Sequence, residues 1–90
     1  MGELEKVFKH IDDHLDEHVA KIQAFLRQPS ISQRMEGVFE CAAVLRDCFK
    51  DLGCKEARLV EPQYYSPIVY GHYDAGAEKT LMIYMMYDVQ

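Results

Sequence analysis

Apolar residues recur at helical spacing from the first turn of the chain. Leu4, Val7, Phe8, Ile11, Leu15, Val19, Ile22, Phe25 and Leu26 keep to the period of an α-helix, so the pattern predicts one amphipathic helix over about 3–27. Glu5 and Lys9 stand one turn apart, where opposite charges can pair. Pro29 ends the helix, and the residue before a proline is driven out of helical conformation, which places Gln28 outside it. A long helix with a single apolar stripe is expected to lie across the face of a larger body. Ser30 to Glu36 is polar and reads as a connection. A second apolar set (Phe39, Ala42, Ala43, Leu45, Cys48, Phe49 and Leu52) predicts a helix over about 37–52, with Gly53 as the left-handed residue that closes it.

The pattern changes at Lys55. Ala57, Leu59 and Val60 mark a strand over about 56–61. Glu61-Pro62-Gln63 reads as a turn, and Tyr64-Tyr65-Ser66-Pro67 leads into a second strand over about 67–73, centred on Ile68-Val69-Tyr70. Asp74-Ala75-Gly76-Ala77-Glu78 is a loop with a central glycine. Thr80-Leu81-Met82-Ile83-Tyr84-Met85-Met86 is apolar without alternation, as a strand covered on both faces requires, and predicts a third strand over about 80–86. Two helices followed by three strands is the opening of an α/β domain with helices packed on a sheet. Ile68 to Asp74 also resembles Met82 to Asp88 at a shift of 14 residues. Two copies are too few for a repeat fold; neighbouring strands of one hairpin, or chance, account for them.

Ninety residues bound the chain to one small domain. Apolar content of 49%, with six Tyr and four Phe, is too high for a disordered tail. No apolar run approaches the roughly 20 residues that cross a bilayer, so no membrane partner is expected. Met1-Gly2-Glu3-Leu4-Glu5-Lys6 is charged and periodic, unlike a secretory signal, and Lys6 stands where a myristoylation motif needs Ser or Thr. A net charge of −5 without a basic cluster excludes a nucleic-acid footprint. Cys41, Cys48 and Cys54 are odd in number and lack a paired close spacing, which argues against a disulfide framework and a zinc ribbon. Cys41 and Cys48, seven apart, are expected to face one core side as small hydrophobes. A reducing cytoplasm is the expected compartment.

Few positions carry candidate chemistry. His10, His14 and His18 follow one another at helical spacing and could share a metal, but they flank the apolar stripe among Asp12, Asp13, Asp16 and Glu17, and read as a solvated flank. No glycine-centred loop surrounds those acids, so they do not form a calcium site. His72-Tyr73-Asp74 places an imidazole and a carboxylate on one side of a strand, where the acid could orient the ring toward a metal; the alternative, preferred on the local pattern, is a histidine at a strand end with one hydrogen bond. Asp88 leaves an apolar strand at its carboxyl end, the edge at which open α/β sheets bind ligands. The alternative for Asp88 is a strand-to-loop acid that caps backbone amides.

These stretches together resemble the N-terminal part of the co-catalytic zinc amidohydrolases and metallopeptidases. That family includes acetylornithine deacetylase, succinyl-diaminopimelate desuccinylase, carboxypeptidase G and carnosinase-type dipeptidases. The likeness runs through a long first helix, Gln28-Pro29-Ser30-Ile31-Ser32, a second helix ending in Leu52-Gly53, and the strand Ala57-Arg58-Leu59-Val60-Glu61. It ends in Thr80-Leu81-Met82-Ile83-Tyr84 running into Met85-Met86-Tyr87-Asp88-Val89-Gln90, where the family has Tyr-Gly-His-Tyr-Asp-Val-Gln-Pro. The resemblance covers essentially the whole chain and is closest to the dipeptidase-like branch.

It implies an incomplete piece of a zinc-peptidase-like α/β catalytic domain. The parent protein would hydrolyse amide or peptide bonds of small N-acyl amino acids or dipeptides, with two zinc ions activating water. The family's first zinc ligand is the signature histidine, and this chain has Met86 there. A thioether is a soft, neutral donor suited to copper(I) rather than to a hydrolytic zinc. Asp88 matches the aspartate that orients the missing histidine, so it is the one catalytic position carried over. A second register, Tyr70-Gly71-His72-Tyr73-Asp74, reproduces the motif with His72 as the ligand, but Ala75-Gly76-Ala77 follows it instead of Val-Gln-Pro, so the Asp88 register is preferred. The remaining ligands and the base lie downstream in the family. The chain therefore reads as an N-terminal fragment, inactive alone and binding no zinc by itself. An uncovered apolar last strand also predicts self-association. The alternative reading is a non-catalytic relative or a small interaction module.

Overall fold

The computed structural model describes residues 2–62 and 66–89; the expected turn at Gln63, with Tyr64 and Tyr65, and the final Gln90 lie outside them. Helices α1 (Glu3–Asp13) and α2 (Leu15–Arg27) come first. A single 3-10 turn (Ser32–Arg34) leads to α3 (Val38–Leu52), and strands β1 (Glu56–Val60) and β2 (Ile68–His72) follow. The two strands pair antiparallel, so the described residues form a small mixed α/β domain.

The single helix expected over 3–27 is divided at His14, whose backbone turns to φ −116° and ψ 16°. Hydrogen bonds from His14 N to His10 O (3.1 Å) and from His18 N to His14 O (3.0 Å) still cross the break. The two helices therefore present one surface. Lys9 pairs forward with Asp13 at 2.6 Å instead of back with Glu5; both partners are one turn away, and only one can be held at that length. Gln28 leaves the helix with extended backbone, φ −75° and ψ 118°, as Pro29 requires. No residue of α1 or α2 is buried, so the expected covering of their apolar stripe is not seen among the described residues.

Helix α3 is held between two glycines with left-handed backbone, Gly37 at φ 73° and Gly53 at φ 97°. Gly53 N donates to Lys50 O at 3.0 Å and Cys54 N to Phe49 O at 3.1 Å, the paired bonds that close a helix at a glycine. Its buried residues are Val38, Cys41 and Ala42, all in its first turns. Cys48 is exposed while Cys41 is buried, contrary to the expectation that both face the core. They share a helix side, but Cys48 lies at the open groove between α2 and α3 and stays exposed.

The hairpin puts Leu59 opposite Val69 and Ala57 opposite Gly71. These positions alternate inward, and α3 packs on that face with the Phe49 ring against Gly71. On the outer face the Arg58 guanidinium lies 5.2 Å from the centre of its cross-strand neighbour Tyr70. Lys55 N adds one more ladder bond to His72 O at 2.9 Å.

The third strand expected over 80–86 does not form. Its side chains lie in water, from 74% exposed at Ile83 to 86% at Met82. A ladder needs a neighbouring strand, and among the described residues none pairs with this run. The likeness between Ile68–Asp74 and Met82–Asp88 is thus not a hairpin; β2 pairs with β1 instead. Among the described residues no helix is long and apolar enough to cross a membrane.

Candidate functional site

Pro29 stops α2 and sends the chain sideways, so Ser30 and Ile31 run extended beneath the start of α3. Ile31 N donates to Glu36 O at 2.9 Å, and Glu36 N returns a bond to Ile31 O at 3.1 Å. The other side of the same stretch meets the far end of the chain. Val89 N donates to Ser30 O at 2.7 Å, and Ser32 N donates to Val89 O at 3.3 Å, a parallel bridge between Ile31 and Val89. Ile31 is thus paired on both edges, and it is this seam that holds Tyr87 and Asp88 in place.

Tyr87 is half-buried and its hydroxyl donates to Pro67 O at 2.5 Å. Loss of water around the ring pushes its phenol above the ordinary value, and the neighbouring Cys41 thiol and Asp88 carboxylate push the same way. Phe25, Ser30, Ile31, Cys41, Tyr87 and Val89 line a cavity of about 170 Å³ here. The Ser30 hydroxyl is buried in its wall without a hydrogen-bond partner. A buried polar atom of this kind usually meets an ordered water.

Asp88 is exposed beside this cavity. Met86, which the resemblance sets against a ligand position, is 78% exposed. His72 is half-buried at the end of β2, where its carbonyl serves the ladder. Asp74 does not act on that imidazole as the triplet suggested. Its carboxylate accepts from Gly76 N at 2.8 Å and faces the Lys55 ammonium at 3.8 Å. The Gly76 amide first, then Lys55, hold the Asp74 carboxyl below its usual value, with a smaller effect from His72. It is a turn-forming acid.

The His10, His14 and His18 rings stack along one flank of α1 and α2, with centroids 4.2 Å apart for the first pair, 6.2 Å for the second and 5.9 Å between the outer two. His14 Nδ1 lies 2.8 Å from His10 O, which ties one ring nitrogen to the backbone. Among the described residues no group of three or more His, Cys, Asp and Glu is placed to hold a metal.

The structure therefore separates the two registers: Met86 and Asp88 lie by the seam, and His72 lies at the hairpin end. Ser30, Ile31 and Tyr87, which form the seam, were not marked as functional by periodicity or charge. Their only signal was that both stretches carry the family likeness. No family model matches the chain, and no curated protein or solved structure matches it either.

Proposed function

We propose that the chain is the N-terminal portion of a zinc-dependent amidohydrolase or metallopeptidase, cytoplasmic and acting on small peptides or N-acyl amino acids. The observation that supports this is the pairing of Ile31 with Val89. It joins Pro29–Ser32 to Tyr87–Val89, two of the stretches that carry the resemblance, although they lie far apart in the sequence. In this reading residues 80–86 become a third strand once the rest of a zinc-peptidase-like sheet lies beside them.

The described residues do not themselves make a zinc site. Met86 offers a soft thioether, Asp88 is a single carboxylate, and His72 belongs to another part of the fold. Asp88 corresponds in this reading to the acid that orients the family's histidine, which Met86 replaces, and no catalytic step is assigned to this chain alone. A second reading, a non-catalytic relative used for binding or assembly, is favoured by Met86 itself.

The test is metal analysis and hydrolysis by the product of the complete reading frame, grown with zinc, on dipeptides and N-acetyl amino acids. The reading expects two zinc ions per chain and release of free amino acid. A folded, zinc-free product without hydrolysis would overturn it and leave the non-catalytic relative. The 90-residue chain dialysed against zinc is expected to retain no stoichiometric metal.

A further inference from the structure

Three of the four histidines of the chain gather at one place, and the hydrolase reading uses none of them. Residues eight apart on a straight helix are separated by about 12 Å along its axis. The His10 and His18 ring centres are nevertheless only 5.9 Å apart. The outer rings lean inward from either side of the break at His14, where the backbone leaves helical geometry. From residue 2 to residue 24 every position is exposed except His14 and His18, which are half-buried. On a flank otherwise open to water, the rings shelter one another.

Two features suit this cluster to a metal ion. The first is spacing. Two imidazoles on one ion, each bonded at about 2.0–2.1 Å, have ring centres roughly 4.5 Å apart at a right angle and roughly 6.4 Å apart when opposite. The three observed separations, 4.2, 5.9 and 6.2 Å, nearly span that range. The second is the tautomer. His14 Nδ1 lies 2.8 Å from His10 O. A carbonyl oxygen only accepts, so Nδ1 carries the hydrogen, and Nε2 of the neutral ring keeps its lone pair. Metal-bound imidazoles are commonly held this way, the other nitrogen donating to a backbone carbonyl. Charge does not decide the matter, because acids and bases are mixed along this flank and Asp13 is engaged by Lys9. The lone pairs do. Imidazole suits nickel(II) and copper(II), near the top of the affinity series for divalent ions.

We propose that His10, His14 and His18 hold one divalent cation of the nickel(II)–copper(II) type, with His14 Nε2 as the central donor and water in the remaining positions. The rings stack, and no three donors converge as they stand. Turning the His10 and His18 rings about their side-chain bonds closes the site without moving the backbone. The ion then bridges α1 and α2 across their break. None of these residues belongs to the seam or to Met86, Asp88 and His72, so the hydrolase reading can fail without touching this site.

The test is calorimetric titration of the 90-residue chain with nickel(II) chloride at neutral pH, followed by thermal unfolding with and without the ion. Nickel(II) is the probe because it does not oxidise the exposed Cys48 thiol. One ion per chain is expected, in fast exchange and lost on dialysis, with a raised thermal midpoint of the helical circular dichroism signal. His14→Asn should weaken binding about tenfold or more and remove the rise in midpoint. His10→Asn and His18→Asn should each weaken it less, since each leaves two rings one helical turn apart. No binding at millimolar nickel(II), or unchanged affinity in His14→Asn, overturns the proposal. So does loss of binding in His72→Asn or in Cys48→Ser, which would place the ion at the hairpin end or in the α2–α3 groove.

Discussion

Gly37 and Gly76 have almost the same backbone, φ 73° and φ 74°, but different surroundings, and that difference makes a quantitative experiment. A methyl group on Gly76 meets nothing within 4 Å. Gly76→Ala therefore suffers only the left-handed backbone, about 1–2 kcal/mol, offset by about 0.4–1 kcal/mol from a less flexible unfolded chain. The net loss is about 1 kcal/mol. A methyl on Gly37 would run into the Pro29 carbonyl oxygen and lie 2.7 Å from its carbonyl carbon. Neither glycine φ nor a rotamer change relieves a clash with backbone, so Pro29 must move. Moving it strains the Ile31–Glu36 and Ser30–Val89 hydrogen bonds, at about 0.5–1.5 kcal/mol for each bond lost. Gly37→Ala should then lose about 3 kcal/mol or more. That is a large part of the roughly 5–13 kcal/mol available to a chain of this size. Urea unfolding followed by far-ultraviolet circular dichroism measures both variants. The asparagine pair sharpens the result, because Asn tolerates left-handed backbone but keeps its Cβ. Gly76→Asn should be near wild type, and Gly37→Asn as unstable as Gly37→Ala. If Gly37→Ala and Gly76→Ala lie within about 0.5 kcal/mol of each other, well inside the difference expected from the clash, the role given to Pro29 is wrong.

Gly71→Ala has no backbone penalty but sets its methyl 2.7 Å from Cγ and Cδ2 of Phe49; it should lose about 1–3 kcal/mol by overpacking, and Phe49→Leu added to it should recover part of that in a double-mutant cycle. Tyr87→Phe strips the donor from Pro67 O, which is worth about 1–3 kcal/mol if the carbonyl stays dry; a change in thermal midpoint below 2 °C, against about 4–8 °C per kcal/mol, would count against it. Because the folded Tyr87 phenol is raised above the unfolded value, its contribution is intact at neutral pH and is lost as pH climbs past that value toward the folded one; Tyr87→Phe should flatten this alkaline limb. Asp74 is depressed in the fold, so its contribution is present above the unfolded carboxylate pKa and fades as pH falls through the folded one. A carboxyl NMR titration that finds Asp74 at or above an ordinary aspartate would refute that placement.

Local chemistry made much of the architecture readable. Pro29 and Gly53 bound helices because one cannot continue a helix and the other can close it. Ala57 and Leu59 alternate with exposed neighbours because β1 is covered on one face only. The run from Leu81 to Met86 misled because apolar content states a preference for burial without supplying a partner strand. Cys48 misled similarly: its helical phase matches Cys41, but the covering stops first. His14 breaks the first helix with no proline or glycine to announce it. Asp88 was legible as a chain-end acid beside a strand-like run, and the likeness marked Met86. The seam was not legible, since backbone pairing between Ile31 and Val89 leaves no periodic trace in either segment.

That seam also has a topological consequence. Ile31 and Val89 are 58 positions apart, 89 minus 31, so their pairing closes a long loop against chain entropy. Its closure costs less chain entropy once α3 and the hairpin have drawn both ends together. The exposed run from Leu81 to Met86 is then a tether fixed at β2 on one side and at Ile31 on the other. When the Val89 amide opens, the Tyr87 hydroxyl on Pro67 O still holds that end of the run. Hydrogen exchange at Val89, compared between the parent chain and Tyr87→Phe, separates these two holds on the exposed run.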